Sequence, residues 1–174
     1  MPTHSYTSRR ELEEYHFSPV VAIAVPLLLL VLQALLPKIF PKMIILDLPL
    51  LAVIFFAVAR RNPIYGALTG SVIGLVQDAL TGQPIGINGI AKSVIGYVAS
   101  SIGVQVDVEN LVLRIMMNFG FSLLQSAIIF IINKMLLGQH EVHLLWLHEL
   151  IRAAVNTAVA LPVFLLLDRW KHLE

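Results

Sequence analysis

Six long apolar stretches constrain this chain more than any other feature of its sequence. They lie at residues 19–36, 43–59, 63–80, 85–103, 111–137 and 144–167. Together they contain only seven charged residues: Asp47, Asp78, Lys92, Arg114, Lys134, Glu149 and Arg152. A helix needs about 20 apolar residues to cross the hydrocarbon core of a bilayer, and backbone groups in lipid must pair within the segment. The pattern therefore predicts an all-α integral membrane protein, a bundle of six transmembrane helices.

Composition excludes several other classes of protein. Of the 174 residues, 57% are hydrophobic and 13% are charged, whereas soluble domains carry about 25% charge. One soluble core of this size could not bury so much apolar surface. The net charge of +1 gives no reason to expect a nucleic-acid partner. Because the chain has no cysteine, disulfides, thiolate metal sites and cysteine catalysis are excluded.

We expect a single domain at residues 19–168, between an N-terminal tail at 1–18 and a C-terminal tail at 169–174. Pro37 and Lys38, rather than a small-residue cleavage site, follow the first apolar stretch, which favours an uncleaved span over a signal peptide. A capping-box pattern at residues 8–11 allows a short helix over 8–16 on the membrane face. A solvated tail is the alternative.

Basic residues in the links predict the orientation of the bundle. Six spans place both termini on the same side of the membrane. That side carries seven lysines and arginines, namely Arg9, Arg10, Arg60, Arg61, Arg114, Arg169 and Lys171. The other side carries three, namely Lys38, Lys42 and Lys134. Positive charge is retained in the cytoplasm. We therefore expect a multi-pass membrane protein with both termini in the cytoplasm.

Small residues recur on one face of the third and fourth stretches. The third carries Gly66, Gly70 and Gly74, and the fourth carries Gly89 and Gly96. Glycines at this spacing let helix backbones approach closely in lipid. A turn-forming sequence at residues 81–84 joins the two stretches. The pattern predicts a close antiparallel hairpin of the third and fourth helices.

Asp78 and Lys92 are the two charged residues in this hairpin. Each is costly within a membrane, and the hairpin places them about 7 Å apart along its axis at 1.5 Å per residue. We expect an internal ion pair between them. Two alternatives stay open, namely that Asp78 accepts hydrogen bonds from backbone amides of the turn between Gly82 and Gly86, or that the pair contacts a partner.

Polar residues also follow single faces of the last two stretches. The fifth carries Asn118, Ser122, Gln125 and Asn133, and the sixth carries Glu149, Arg152, Asn156 and Ala160. Lipid offers no hydrogen-bond partner to such groups, so we expect Gln125, Arg152 and Asn156 to face the interior of the bundle. Glu149 and Arg152 can pair on their own helix. Prolines 26, 49 and 162 lie inside stretches and are expected to kink them.

No pattern in the chain indicates an enzyme, a cofactor or a metal site. His140, Glu141, His143, His148 and Glu149 lie close together, but Leu144 stands where a zinc-protease pattern needs a histidine. An interfacial cluster with Trp146 as its aromatic anchor is the simpler interpretation. The chain also has no nucleophile motif and no phosphate-binding loop.

The most specific pattern lies between Asn62 and Tyr97. The pattern begins with a proline, Pro63, and two spaced glycines, Gly66 and Gly70. A Gly-Leu-x-x-Asp segment (Gly74 to Asp78) and a further glycine (Gly82) follow. The pattern ends with Ile-Gly-x-Asn (Ile85 to Asn88) and the pair Gly96-Tyr97. This stretch resembles the family of the rod shape-determining protein MreD, although Ile85 stands where leucine is commoner. Arg152, Asn156 and Pro162 resemble the last helix of that family more loosely.

The resemblance implies a function that spacing alone does not. Members of the family are non-enzymatic subunits of the cell-elongation complex and bind the bitopic protein MreC. Through it they help couple the MreB filament to the wall polymerase RodA and a penicillin-binding transpeptidase. The family is also similar in fold to the substrate-binding subunits of energy-coupling-factor vitamin transporters, and such a subunit is the alternative function.

The resemblance and the small residues suggest where a partner would bind. We expect the span of MreC, or the segment next to it, to pack in a groove at the third and fourth helices. Asp78, Gly82, Gly86 and Asn88 would shape the outward end of that groove. Under the alternative function, polar residues near Asp78, Asn88, Glu149 and Arg152 would line an outward pocket for a vitamin-like molecule.

Overall fold

The computed structural model describes residues 15–16, 18–105, 110–135, 138, 145–170 and 172–173. Six α-helices account for most of these: α1 Pro19–Ile39, α2 Leu48–Arg60, α3 Pro63–Thr81, α4 Ile87–Gln105, α5 Leu111–Met135 and α6 Trp146–Leu167. Short 3-10 helices lie at Pro41–Ile45 and Asp168–Trp170. Each apolar stretch predicted from the sequence contains one α-helix, so the all-helical fold is confirmed.

Five of the helical segments are long and apolar enough to cross a membrane. They are α1, the segment Pro41–Arg60, α4, α5 and α6. Helix α3 is not among them, since its glycines, Gln77 and Asp78 make it less apolar than its neighbours. It nevertheless packs antiparallel along α4, with Gly66 beside Gly96 at one end and Gly74 beside Asn88 at the other. We therefore propose that α3 crosses the membrane together with α4.

The ends of the bundle are defined by the chain termini. Strand β1 (Tyr15–His16) pairs antiparallel with strand β2 (His172–Leu173), which brings the segment before α1 and the segment after α6 together at one end. We call this the near end and the opposite one the distal end. The extended backbone at Tyr15–His16 means that a helix does not continue to residue 16, whereas residues 8–14 lie outside the described residues.

Helix α2 is the central helix of the bundle. It contacts each of the other five, and eleven of its thirteen residues are buried. Phe55 lies against Phe164 of α6 with ring centroids 5.2 Å apart. At 1.5 Å per residue, α2 is only about 20 Å long, shorter than the hydrocarbon core of a bilayer at about 30 Å. The first turn of α2 therefore begins inside the protein, between the distal end and the middle of the bundle.

Residues Leu46 and Asp47 interrupt the second span between the 3-10 helix and α2. Such non-helical backbone at membrane depth is tolerated only where it is buried or lines a cavity. Pro49 lies in the first turn of α2, where its missing N–H group costs nothing. The expectation of a kink at Pro49 is therefore wrong, while Pro26 and Pro162 do lie inside helices.

Candidate functional site

The close contact of α3 with α4 is made by backbone against backbone. An added Cβ atom at Gly70 would lie 2.1 Å from the carbonyl oxygen of Lys92, and one at Gly74 would lie 2.3 Å from that of Asn88. An added Cβ atom at Gly66 would be just as close to the carbonyl oxygen of Gly96, and one at Gly96 would be just as close to that of Gly66. No side chain fits at these positions, so the three glycines of α3 pack directly against α4 inside the bundle. The hairpin expected from the sequence is present.

Asp78 closes the hairpin at its distal end. Its carboxylate accepts hydrogen bonds from the backbone N–H groups of Gly86 at 2.8 Å and Asn88 at 3.1 Å, and from the Asn88 side-chain amide at 2.8 Å. These donors belong to the turn before α4 and its first residues, where N–H groups have no helical partner. Gly82 ends α3 in the left-handed conformation with φ of 68°, which glycine adopts without strain.

The expected ion pair between Asp78 and Lys92 is therefore wrong. Asp78 instead caps the start of α4. The alternative of hydrogen bonds from the turn between Gly82 and Gly86 holds only for the Gly86 N–H group. The Lys92 ammonium group binds Asp47 at 2.8 Å. The predicted ion pair joined the two charges within the hairpin. Asp47 lies 45 residues before Lys92, and only the packing of α2 against α4 brings it there.

Replacing Asp78 with alanine removes the acceptor for the first N–H groups of α4. We expect a loss of about 2 kcal/mol in the free energy of unfolding, the upper range for helix capping residues. The measurement is unfolding of the purified protein in mixed micelles. Asp78→Asn keeps one acceptor oxygen and should lose less; equal losses for the two variants would contradict a capping role.

A buried polar network surrounds Asp47 and Lys92 at the middle of the bundle. Asp47 also accepts hydrogen bonds from the Gln125 side chain and from the backbone N–H of Leu50 at 3.1 Å. Lys92 donates to the side-chain oxygens of Asn88 at 3.3 Å and Gln125 at 3.2 Å. Lys92 is fully buried. Because a lone charge is costly in such surroundings, the ion pair and these hydrogen bonds together offset the cost of burying the two charges.

Two amide side chains complete the network by binding the backbone where the second span is interrupted. Gln33 of α1 donates to the Leu46 carbonyl at 2.9 Å and accepts from the Leu48 N–H at 3.0 Å. Asn156 of α6 accepts from the Asp47 N–H at 2.9 Å and donates to Ser122 at 3.0 Å. The network thus joins all six helices through polar groups, since Gln77 of α3 also donates to Asp47 at 3.4 Å.

Three members of this network were not predicted from the sequence. Gln33 and Gln77 received no role, and Asp47 was identified only as a charge within an apolar stretch. A usable signal was present, because Asp47 is followed by Leu48-Pro49, a typical helix start with a capping acid and a proline in the first turn. That signal would have placed the start of α2 within the second apolar stretch. Gln125 and Asn156 face the interior as predicted.

A cavity of about 610 Å³ opens above this network. We call it the distal cavity. Five helices and two links contribute polar and charged residues to its lining, namely Gln33, Lys38, Asp47, Gln77, Thr81, Gln83, Asn88, Asn133, His148 and Arg152. Arg152 lies 3.8 Å from Glu149 on its own helix, and Glu149 accepts a hydrogen bond from Ser126 of α5. Among the predicted site residues, Asn88 and Arg152 thus line the cavity, whereas Lys92, Gln125 and Asn156 lie in the network beneath it.

A second, shallower depression follows the outer face of the α3–α4 hairpin. We call it the hairpin groove; its volume is about 240 Å³, and it is lined by Ser71, Leu75, Gly86, Gly89, Ile90, Ser93 and Val94. An added Cβ atom at Gly89 would lie 3.0 Å from the flexible side chain of Leu75 and 3.7 Å, an ordinary van der Waals distance, from the Leu75 backbone nitrogen. Small residues here are therefore not demanded by internal backbone contacts, unlike those at Gly70 and Gly74.

The histidine-rich region is only partly described. His140, Glu141 and His143 lie outside the described residues, while His148 and Trp146 are exposed at the distal end of α6. Among the described residues, no three histidine, aspartate or glutamate side chains are grouped so that they could hold a metal ion. The role of this region stays a prediction.

Comparison with known proteins identifies the family. No curated protein and no solved structure matches the chain, so the expected similarity to energy-coupling-factor subunits has no support. The family model of the rod shape-determining protein MreD, in contrast, matches residues 15–170. This range includes all six helices, the network and the distal cavity. The chain is therefore a member of the MreD family of rod shape-determining membrane proteins.

Proposed function

We propose that this protein is a non-enzymatic subunit of the bacterial cell-elongation complex. It maintains rod shape by binding MreC and thereby helps couple the MreB cytoskeleton to peptidoglycan synthesis by RodA and a penicillin-binding transpeptidase. The observation that carries this proposal is the family match over residues 15–170. The buried charges support a non-enzymatic role. Asp47 and Lys92 neutralise each other inside the bundle, and their pairing stabilises helix packing.

The proposed site of action is the inner membrane, with both termini in the cytoplasm. The pairing of β1 with β2 supports one common side for the termini. The near end also holds Arg60 and Arg61 between α2 and α3, and basic residues are retained on the cytoplasmic side. The distal cavity then opens outward, toward the cell wall.

The hairpin groove is the proposed docking surface for the single membrane span of MreC. Gly89, Ser71 and Ser93 keep the groove open, so a helix backbone can approach closely, which is the main contribution to helix association in lipid. Leu75, Ile90 and Val94 are 39%, 50% and 42% exposed and offer apolar contact along its walls. The three glycines at Gly66, Gly70 and Gly74 cannot serve this purpose because α4 covers them.

Filling the hairpin groove should release MreC while the bundle stays folded. We expect the Ser71→Leu/Ser93→Leu variant to lose about 10-fold or more of the MreC that co-purifies in mild detergent, equivalent to about 1.4 kcal/mol. Co-purification from native membranes is the measurement, with unfolding in micelles as the test of folding. Ser101→Leu lies on the same helix outside the groove and is the matched control. Wild-type recovery of MreC with the double variant would overturn this placement.

A further inference from the structure

We propose that Asn88 is a positioning residue that couples the distal end of the α3–α4 hairpin to the interrupted second span. Its buried side-chain amide lies between two charged groups. The amide nitrogen donates to the Asp78 carboxylate at 2.8 Å, and the amide oxygen accepts from the Lys92 ammonium group at 3.3 Å. Lys92 in turn binds Asp47, which caps α2. A displacement at one end of this chain of contacts is therefore transmitted to the other end.

The Asp78 end of the chain of contacts belongs to the hairpin groove. Asp78 accepts from the Gly86 N–H at 2.8 Å, and Gly86 lines the groove. The backbone N–H of Asn88 also donates to Asp78, at 3.1 Å. Asn88 thus holds this carboxylate with both its backbone and its side chain, so movement of the distal end of the groove moves the Asn88 amide.

The Lys92 end belongs to the start of α2. Lys92 is fully buried, and its ammonium group has three hydrogen-bond donors. Their acceptors are side-chain oxygens of Asp47, Asn88 and Gln125. Without the Asn88 oxygen one donor is unpaired in a buried site, which is costly, so the ammonium group must shift together with the Asp47 carboxylate. That carboxylate accepts from the Leu50 N–H in the first turn of α2.

The chemistry of the two neighbours specifies an uncharged amide at position 88. A carboxylate only accepts hydrogen bonds and an ammonium group only donates them, so the residue between them must present a donor on one side and an acceptor on the other. An Asn88→Asp change keeps the acceptor for Lys92 but removes the donor, and it places a second negative charge against Asp78. An Asn88→Leu change removes both hydrogen bonds.

A charge swap between positions 78 and 88 tests this orientation. Asn88→Asp should raise the unfolding equilibrium constant in SDS mixed micelles about 10-fold or more, equivalent to about 1.4 kcal/mol. Adding Asp78→Asn exchanges the amide and the carboxylate: the amide again donates to the carboxylate, the carboxylate still accepts from Lys92, and the amide oxygen accepts from the Gly86 N–H. In the Asp78→Asn background, Asn88→Asp should therefore raise the constant less than about 3-fold.

The Asp78→Ala background is the matched control for the charge swap. It relieves the repulsion between the two carboxylates but supplies no amide. The effect of Asn88→Asp should be about 3-fold or more larger in this background than in the Asp78→Asn background. Equal effects in the two backgrounds would overturn the inference, because relief of repulsion would then explain the rescue. An Asn88→Asp protein as stable as the wild type would overturn it as well.

A single-cysteine reporter tests whether the coupling reaches the second span. The wild-type chain has no cysteine, so Ile45→Cys places one thiol at the end of the 3-10 helix, in the lining of the distal cavity. In the purified protein, adding Asp78→Ala should raise the rate of reaction with a water-soluble maleimide about 3-fold or more, since local opening governs such access. In an Asn88→Leu background, the same change should alter the rate less than about 1.5-fold, because the link is already broken.

A reporter at the near end separates this coupling from general loosening of the bundle. Arg169 is exposed there, and Arg169→Cys should react at the same rate with and without Asp78→Ala. If Asp78→Ala accelerates both reporters alike, or accelerates Ile45→Cys equally with and without the Asn88 amide, the inference is overturned.

Discussion

Lys92→Met is expected to cause the largest loss of stability of any single charge substitution in this protein. It leaves Asp47 buried without its cation, and breaking a buried ion pair in this way costs about 3–5 kcal/mol. The effect should spread to the interrupted second span, because Asp47 also caps α2 through Leu50 at 3.1 Å. Unfolding of the purified protein by SDS in mixed micelles gives the free energy directly.

Two further variants show whether charge pairing is the cause. The double variant Asp47→Asn/Lys92→Met removes both charges and keeps the capping oxygen, so it should recover at least half of the loss. Lys134→Met is the matched control, since Lys134 is exposed and its ammonium group lies 5.6 Å from the centre of the Phe130 ring; its loss should stay below about 1 kcal/mol. Unfolding of Lys92→Met at the wild-type SDS concentration would refute the argument.

Gly70→Ala is expected to disrupt the hairpin even though it adds one methyl group. The new carbon would lie 2.1 Å from the oxygen and 2.6 Å from the carbon of the Lys92 carbonyl. These are backbone atoms of α4, so the two helices must separate. The loss should exceed the 1–3 kcal/mol typical of overpacking in a core, because the separation also moves Lys92 away from Asp47. Folded yield after extraction and SDS unfolding measure it.

Other glycines supply the controls for that substitution. Gly120 has no atom within 4 Å of an added Cβ, so Gly120→Ala should be tolerated and gain slightly from helix propensity. The tight contacts of Gly89→Ala are with the flexible Leu75 side chain, so this variant should cost far less than Gly70→Ala. If all three variants unfold alike, the close backbone approach is not what holds α3 to α4.

The hairpin itself was predictable because its signal is local. Gly66, Gly70 and Gly74 recur at helical spacing, Gly89 and Gly96 follow on the next stretch, and a turn sequence joins the two stretches. Only one arrangement lets both glycine faces meet. The partner of Lys92 was not predictable in this way, because spacing along the chain limits which residues share one helix face but not which distant helix lies opposite.

The amino-acid sequence by itself determined the membrane class, the six helices and the α3–α4 hairpin. Those features depend on runs of apolar residues and on periodicities within a few turns of helix, which any folded form of the chain must respect in lipid. Tertiary packing alone decided that α2 starts inside the bundle, that Asp47 pairs with Lys92 across 45 residues, and that a polar cavity opens above them. The physical reason is that buried polar groups in a membrane must find hydrogen-bond or ion-pair partners, and helix packing determines which partners are within reach.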